Sequence, residues 1–327
     1  MPKADDDFLI RGLVTSVSQR YGGIDAKAAC DQYMESRYLR EATSEALQQR
    51  LDDIGNNLWS TGRDGEITQP RSLDHRRGML ELYTHVLREQ MERSKSGELV
   101  FDEAALRLKA SANYVQRRTA RAITFGPDCY VKFGKKEHIL PALSGKLFIQ
   151  PAAKYNDPSL NAAQLDNELQ HYVRSPNERL MMRLIGLDEH GNEVEIKPRW
   201  GELFRYMNVP NFYVWCCGLG YDARLFGEFE ANAALVVKDK AAFEDRFTRA
   251  MAEQLPDAVI GHGPIQYYDP YTTRRDQLMP AFSKNIKYLY QNEYRFIWQF
   301  HEERELTPFI VDLGSLHDIA EVVELVE

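Results

Sequence analysis

Lys287-Tyr288-Leu289-Tyr290-Gln291-Asn292-Glu293-Tyr294-Arg295-Phe296-Ile297 alternates aromatic and polar residues, the pattern of a strand with two unlike faces. Tyr288, Tyr290, Asn292, Tyr294 and Phe296 share one face; Leu289, Gln291, Glu293, Arg295 and Ile297 share the other. Glu293 therefore sits beside Arg295 and between apolar groups. A carboxylate so placed on a rigid element is either half of an ion pair or a catalytic group.

The chain around this strand is rich in short β-like runs. After Ile123 they are Cys129–Phe133, Lys146–Gln150, Asn211–Cys217, Ala233–Val237, Pro264–Tyr268, Glu293–Gln299 and Pro308–Val311. Leu180–Leu187 and Val194–Pro198 flank Asp188-Glu189-His190-Gly191-Asn192-Glu193, a hairpin signal. Helical stretches are fewer: Lys136–Leu143, Ala241–Gln254 and Leu316–Leu325. Strands outnumber helices without βαβ alternation, which points to an α+β domain.

Phe8 to Arg121 reads differently. Met79, Leu80, Tyr83, Val86, Leu87 and Met91 repeat at helical spacing, and Tyr33, Leu39, Ala42, Ala46 and Leu47 suggest another helix. Gly55 to Asp74 reads as a long loop, and Ser94-Lys95-Ser96-Gly97 as a second break. The expected organisation is a helical accessory domain over 1–121 and an α+β domain over 122–327.

Bulk properties narrow the class. The 327 residues are 43% hydrophobic and 28% charged, ordinary for a globular chain. No apolar run approaches a membrane span. The acidic opening Met1-Pro2-Lys3-Ala4-Asp5-Asp6-Asp7 is unlike a secretory signal. Cys30, Cys129, Cys216 and Cys217 have neither metal nor redox spacing, so the expectation is the reducing cytoplasm. A net charge of −8 argues against a dedicated nucleic-acid binder. One stretch departs from it: Ala104 to Arg121 holds Arg107, Lys109, Arg117, Arg118 and Arg121 and no acid. This is either a solvated face or a patch for a phosphate-rich partner.

Two other segments carry chemistry. Lys146 to Pro151 leads into Tyr155-Asn156-Asp157-Pro158, strong turn chemistry in which Asp157 suits a capping role. Tyr155, an aromatic just past a strand, is less easily read as structural. Tyr130 and Lys132 share a strand face. No Gly-rich phosphate loop, HExxH pair or G-x-S-x-G elbow is present.

Taken together, Tyr130-Val131-Lys132-Phe133, Tyr155-Asn156-Asp157-Pro158, Trp215-Cys216-Cys217, Phe282-Ser283-Lys284 and Gln291-Asn292-Glu293-Tyr294-Arg295 resemble a large, poorly characterised bacterial family. Its members run Tyr-Lys-Tyr/Phe, a helix, a strand ending in Phe-Asn-Asp-Pro-Phe, a Cys-Phe-Ser strand and a Lys-spaced Glu-x-Glu-Trp-Arg strand. The resemblance covers roughly residues 125–315. Gln291 stands where the family has its first Glu, Tyr294 replaces Trp, and Gly218 follows Cys217.

More distantly, the pattern is similar to the ADP-ribosyltransferase fold, including its DNA-modifying toxin branch. The resemblance implies that NAD⁺ is consumed as substrate. It implies Glu293, Tyr155 and Arg295 as catalytic residues, and Tyr130, Lys132, Asn156 and Asp157 around the cofactor, with no metal. Glu293 would hold a ribose hydroxyl and stabilise an oxocarbenium-like state. Tyr155 would stack on nicotinamide, Lys132 would pair with pyrophosphate, and Arg295 would orient Glu293. The acceptor would be a protein, a nucleic acid or water. The setting would be a bacterial toxin or antiphage effector, with self-association through the helical domain and no membrane partner. Two alternatives stand beside this reading. One is a non-catalytic interaction protein on the same fold. The other is a metal-dependent hydrolase or nuclease using Asp157, Asp166, Glu168 and Glu293.

Overall fold

The computed structural model describes residues 24–58, 60–61, 67–68, 73–97, 128–176, 184–196 and 202–325. The basic Ala104–Arg121 stretch and the expected boundary at 121/122 lie outside the described residues.

Among the described residues, the N-terminal half forms three packed helices. α1 (Ala26–Ser36) begins at Asp25, whose carboxylate accepts from the Lys27 and Ala28 amides at 3.0 and 3.1 Å. α2 (Ser44–Leu58) begins at Thr43, whose hydroxyl accepts from the Ala46 amide. α3 (Leu73–Lys95) buries Met79, Leu80, Tyr83, Val86, Leu87 and Met91, the helical repeat visible in the sequence. The expected loop from Gly55 to Asp74 is shorter than its glycines suggest. Leu58 is buried and Asn57 is anchored by its amide, so α2 continues to Leu58. Two-residue strands β1 (Ser60–Thr61) and β2 (Ile67–Thr68) then pair before α3.

The C-terminal half is built on β3 (Tyr130–Gly134), α4 (Lys136–Leu143) and β4 (Lys146–Pro151). β5 (Gln170–Pro176), β6 (Leu184–Leu187), β7 (Glu193–Ile196) and β8 (Glu202–Asn208) form two small antiparallel ribbons, β5 with β8 and β6 with β7. The expected hairpin turn is there: Asp188 accepts from the His190 and Asn192 amides between β6 and β7. β9 (Tyr213–Leu219), α5 (Arg224–Glu228), β10 (Ala233–Val237) and α6 (Lys240–Gln254) follow. β11 (Val259–Pro264), β12 (Gln266–Tyr268), β13 (Ser283–Asn285), β14 (Glu293–Gln299), β15 (Phe309–Asp312) and β16 (Ala320–Glu324) complete the order.

The main sheet runs β11-β14-β9-β3-β10-β16, antiparallel at every pair, with β4 and β15 branching from β9. The class is mixed α+β. α4 and α6 cover one face, where Phe243, Phe247 and Met251 pack on Tyr130, Trp215, Phe296 and Trp298. Alternation puts Val214, Cys216 and Ile297 on the other face, beneath Ala152, Tyr155 and Ala281. Among the described residues, no helix is long and apolar enough to cross a membrane.

Two sequence expectations are corrected. Leu316–Leu325 is not a helix. Ala320–Glu324 is a strand that pairs with all five residues of the wholly buried β10. Leu316, Ala320 and Val323 mimic helical spacing, but the unfilled edge of β10 and the β-branched Val322-Val323 favour a strand. The opening stretch is also not one continuous strand. Ile286–Gln291 forms a 3₁₀ turn capped by Asn285, and Asn292 sits at φ 43° in the left-handed region before β14 begins at Glu293.

The two halves meet through buried groups. Arg50 of α2 donates to both Asp269 oxygens at 2.7 and 2.6 Å. Asn57 donates to the Ile286 carbonyl, and Arg224 bridges the Asn56 and Tyr290 carbonyls. The helical core includes Tyr271 and touches Ile286 and Leu289, so it packs on the turn that leads into β14.

Candidate functional site

Glu293, Arg295 and Ile297 occupy the face of β14 away from α6, as strand alternation requires. Glu293 lies opposite Gly218 and Arg295 opposite Cys216 of β9. Lys284 reaches this face from β13, and Glu168 from the loop that precedes β5. Glu293, Arg295, Lys284 and Glu168 are each at most 5% exposed.

They form one network. Lys284 Nζ donates to Glu293 Oε2 at 2.9 Å and lies 3.5 Å from Glu168 Oε1 and 3.8 Å from Asp166 Oδ2. Arg295 Nε donates to Glu293 Oε1, Nη2 to Glu168 Oε1 at 2.7 Å, and Nη1 to the Ala281 carbonyl at 3.1 Å. Glu168 Oε2 lies 2.6 Å from Arg295 Nη2. It nevertheless receives no aligned hydrogen bond among the described residues. Three carboxylates thus share two cations in a low-dielectric setting.

The two glutamates respond in opposite directions. Burial would push the Glu293 carboxyl up, but Arg295 and Lys284 overcome it and hold it well below the ordinary range. For Glu168 burial prevails over the same two cations, with Asp166 and Glu293 adding to it, so its carboxyl is pushed up. Carboxyls pushed apart on one face are the arrangement by which proteins assign different acid–base roles. Lys284 and Arg295 remain cationic, because the carboxylates outweigh the desolvation that opposes their charge.

Aromatic hydroxyls border the network. Tyr267 accepts the Glu293 amide proton at 2.8 Å. Tyr155 packs with Cys216 on this face, and burial raises its phenol, with Cys216, Glu168 and Glu293 acting the same way and a hydrogen bond from Gln150 against it. Burial also raises the Cys216 thiol, with Glu293 adding to it, and removes any tendency to act as a thiolate. The loop over 157–169 lies across the cluster, fastened by Gln291 Nε2 to the Ala163 carbonyl and Tyr288 hydroxyl to the Leu165 carbonyl, at 2.8 and 2.6 Å.

The structure brings together Glu293, Arg295 and Tyr155. It places the other expected site residues elsewhere. Tyr130 is on the opposite sheet face, donating to Glu244 and packing on Tyr294 and Phe296. β3 meets β9 at its far end, which leaves Tyr130 facing α6. Lys132 shares the face of Tyr130, its ammonium 5.4 Å from the centre of the Trp215 ring. β9 pairs with β4 through Tyr213 and Val214 and with β3 through Gly218 and Leu219, and in the fork between them Lys132 Nζ donates to the Cys216 carbonyl at 2.7 Å. Asp157 is exposed and caps its own turn by accepting from the Ser159 amide, a bond that lowers its carboxyl. Asn156 is exposed at the end of the 3₁₀ turn Ala152–Asn156.

The four carboxylates weighed for metal chemistry do not converge as a set. Asp157 is remote in role, and Asp166, Glu168 and Glu293 surround the Lys284 ammonium, so the protein's own cation fills that position. Among the described residues no His, Cys, Asp and Glu group has a metal-holding arrangement.

Sequence reasoning alone does not make Lys284 and Glu168 leading site residues. Lys284 was legible only through its spacing from Glu293. Glu168 sits in an irregular loop whose path no periodicity reveals. Comparison with known protein families, curated proteins and solved structures finds no match to this chain.

Proposed function

We propose that this face cleaves the N-glycosidic bond of NAD⁺ and transfers the ADP-ribosyl group to an acceptor. The observation that carries the reading is that Glu293 and Glu168 share Arg295 on the sheet face where Tyr155 packs, with the two carboxyls pushed in opposite directions. Nicotinamide is already cationic in NAD⁺, so it leaves with the bonding pair as a neutral group and needs no proton. Positive charge then develops at the ribose C1′. Glu293, kept ionised by Lys284 and Arg295, stabilises that charge and holds a ribose hydroxyl. Glu168, with its raised carboxyl and its unmatched Oε2, takes the proton from the acceptor as its nucleophile bonds to C1′. Tyr155 offers a ring face for nicotinamide. Substrate reaches Glu293 when the 157–165 part of the loop lifts, releasing the Ala163 and Leu165 contacts, while Arg295 keeps Glu168 in place.

The order of motifs along 125–315 supports the same reading, and with it a role in a bacterial toxin or antiphage system. One observation favours a second reading. Both Glu293 oxygens are already paired inside the protein, as in a purely structural ion network, which suits an interaction protein on this scaffold. Nicotinamide release from NAD⁺ by the purified chain, with and without cell extract, separates the two. Release by wild type and not by Glu293→Gln is the expected result, and dependence on extract identifies transfer rather than hydrolysis. Absence of release together with absence of NAD⁺ binding by calorimetry would establish the interaction-protein reading.

A further inference from the structure

The β5–β8 ribbon has one packed face and one open face. His171, Val173 and Met207 point inward, against Tyr268 and Leu278. Alternation puts Gln170, Tyr172, Arg174 and Pro176 of β5 and Glu202, Phe204, Tyr206 and Asn208 of β8 on the outward face. Register sets Tyr172 opposite Tyr206 and Arg174 opposite Phe204. Phe204 is 39% and Tyr206 51% exposed, a large area of open aromatic ring.

The three rings form a ladder. Phe204 and Tyr206 are nearly parallel, 16° apart with centroids at 6.3 Å, and Tyr172 lies 6.0 and 6.2 Å from them. The Phe204–Tyr206 repeat is close to two base rises of about 3.4 Å each along a nucleic-acid strand. The Arg174 guanidinium lies 4.9 Å from the Phe204 ring and 5.7 Å from the Tyr172 ring, and it donates to the Tyr271 hydroxyl. Gln170 and Asn208 hydrogen bond to each other at the end of the ladder, offering amides of the kind that read base edges. Arg174 is the cation of this face, and register puts one acid on it, Glu202 opposite Pro176, at the end away from the Gln170–Asn208 pair.

We infer that this ribbon face binds single-stranded nucleic acid by stacking unpaired bases on Tyr172, Phe204 and Tyr206. Open rings on a β-platform, one guanidinium among them and amides at the margin are what unstacked bases require. A duplex keeps its bases stacked inside and does not fit. β5 begins two residues after Glu168, so a strand lying on the ladder has an end beside the glutamate network. That bound strand is then the acceptor, a step that rests on the glycosidic reading; the binding itself does not.

The test is fluorescence anisotropy of the full chain with labelled oligo(dT) and oligo(U) twelve-mers and a hairpin duplex, in the absence of NAD⁺. Single strands are expected to bind and the duplex to bind at least tenfold more weakly. Phe204→Ala and Tyr206→Ala should each weaken binding about tenfold. Phe148→Ala, which removes an exposed ring from β4, should leave it unchanged. With one cation on the face, the plot of log affinity against log salt should have a slope of about −0.7. Equal affinity of wild type and the two ribbon variants, or no binding of either single strand, would overturn the inference. So would a concentration-dependent dimer lost in Tyr206→Ala, because a second copy would then be the occupant. Binding without nicotinamide release would leave the platform standing and remove the glycosidic reading; the converse result would do the opposite.

Discussion

Glu89 in the helices and Glu293 on the sheet are both buried carboxylates held between two cations, yet their surroundings differ in kind. Glu89 accepts from Arg37, Arg93 and the Tyr33 hydroxyl, and Glu92 acts on Arg37 only as a weaker, more distant charge. Arg93 directs Nη2 to the Leu39, Arg40 and Ala42 carbonyls, so the cluster ties α3 to the turn after α1. At Glu293, Glu168 and Asp166 crowd the same cations, and the two glutamates are driven apart in proton affinity. The first arrangement satisfies backbone and charge together. The second holds an excess of negative charge and an oxygen with no aligned donor, where a ligand can add what is missing.

That contrast can be broken by substitution. Glu89→Gln leaves Arg37 and Arg93 without their shared anion and should cost about 3–5 kcal/mol, read by urea unfolding, because it strands buried charge. Turnover per folded molecule should not change. Glu293→Gln should lower nicotinamide release by about a hundred- to a thousandfold in protein shown by circular dichroism to be folded. Equal loss of activity in the two variants would mean that both clusters are structural.

Acid sensitivity sharpens the contrast further. His85 lies between Tyr38 and Arg50, and burial, then Arg50, lower its pKa to about 4. A depressed histidine binds fewer protons folded than unfolded. Its contribution is therefore present above the unfolded value of about 6.5 and lost as pH falls towards 4, about 3 kcal/mol in all. His85→Gln should flatten the stability profile across that window. Glu168 has the opposite sign. Its raised carboxyl adds stability below the unfolded value of about 4.3, lost as pH rises through the folded value. Relative to Glu168→Gln, wild type should lose stability as pH rises out of that range, a smaller effect visible in thermal scans at several pH values.

Much of the framework was legible in the residues. Glu293–Gln299 and Ala233–Val237 alternate or run apolar in ways that only strands satisfy, and the α3 repeat is plain. Glu293 and Arg295 on one face followed from a period of two. The rest depends on contacts distant in sequence. Leu316–Leu325 has a helical pattern that β10 overrides by pairing. Tyr130 is on a strand, as expected, but which face it presents depends on how β3 meets β9. Glu168 enters the cluster through 127 residues of sequence separation, which no local spacing encodes.

The most direct test of the contrast is nicotinamide release per folded molecule, measured side by side for wild type, Glu89→Gln and Glu293→Gln at pH 7. The expected result is near wild-type release for Glu89→Gln and at least a hundredfold loss for Glu293→Gln. Release by Glu293→Gln equal to that of wild type would contradict a catalytic role for the sheet cluster.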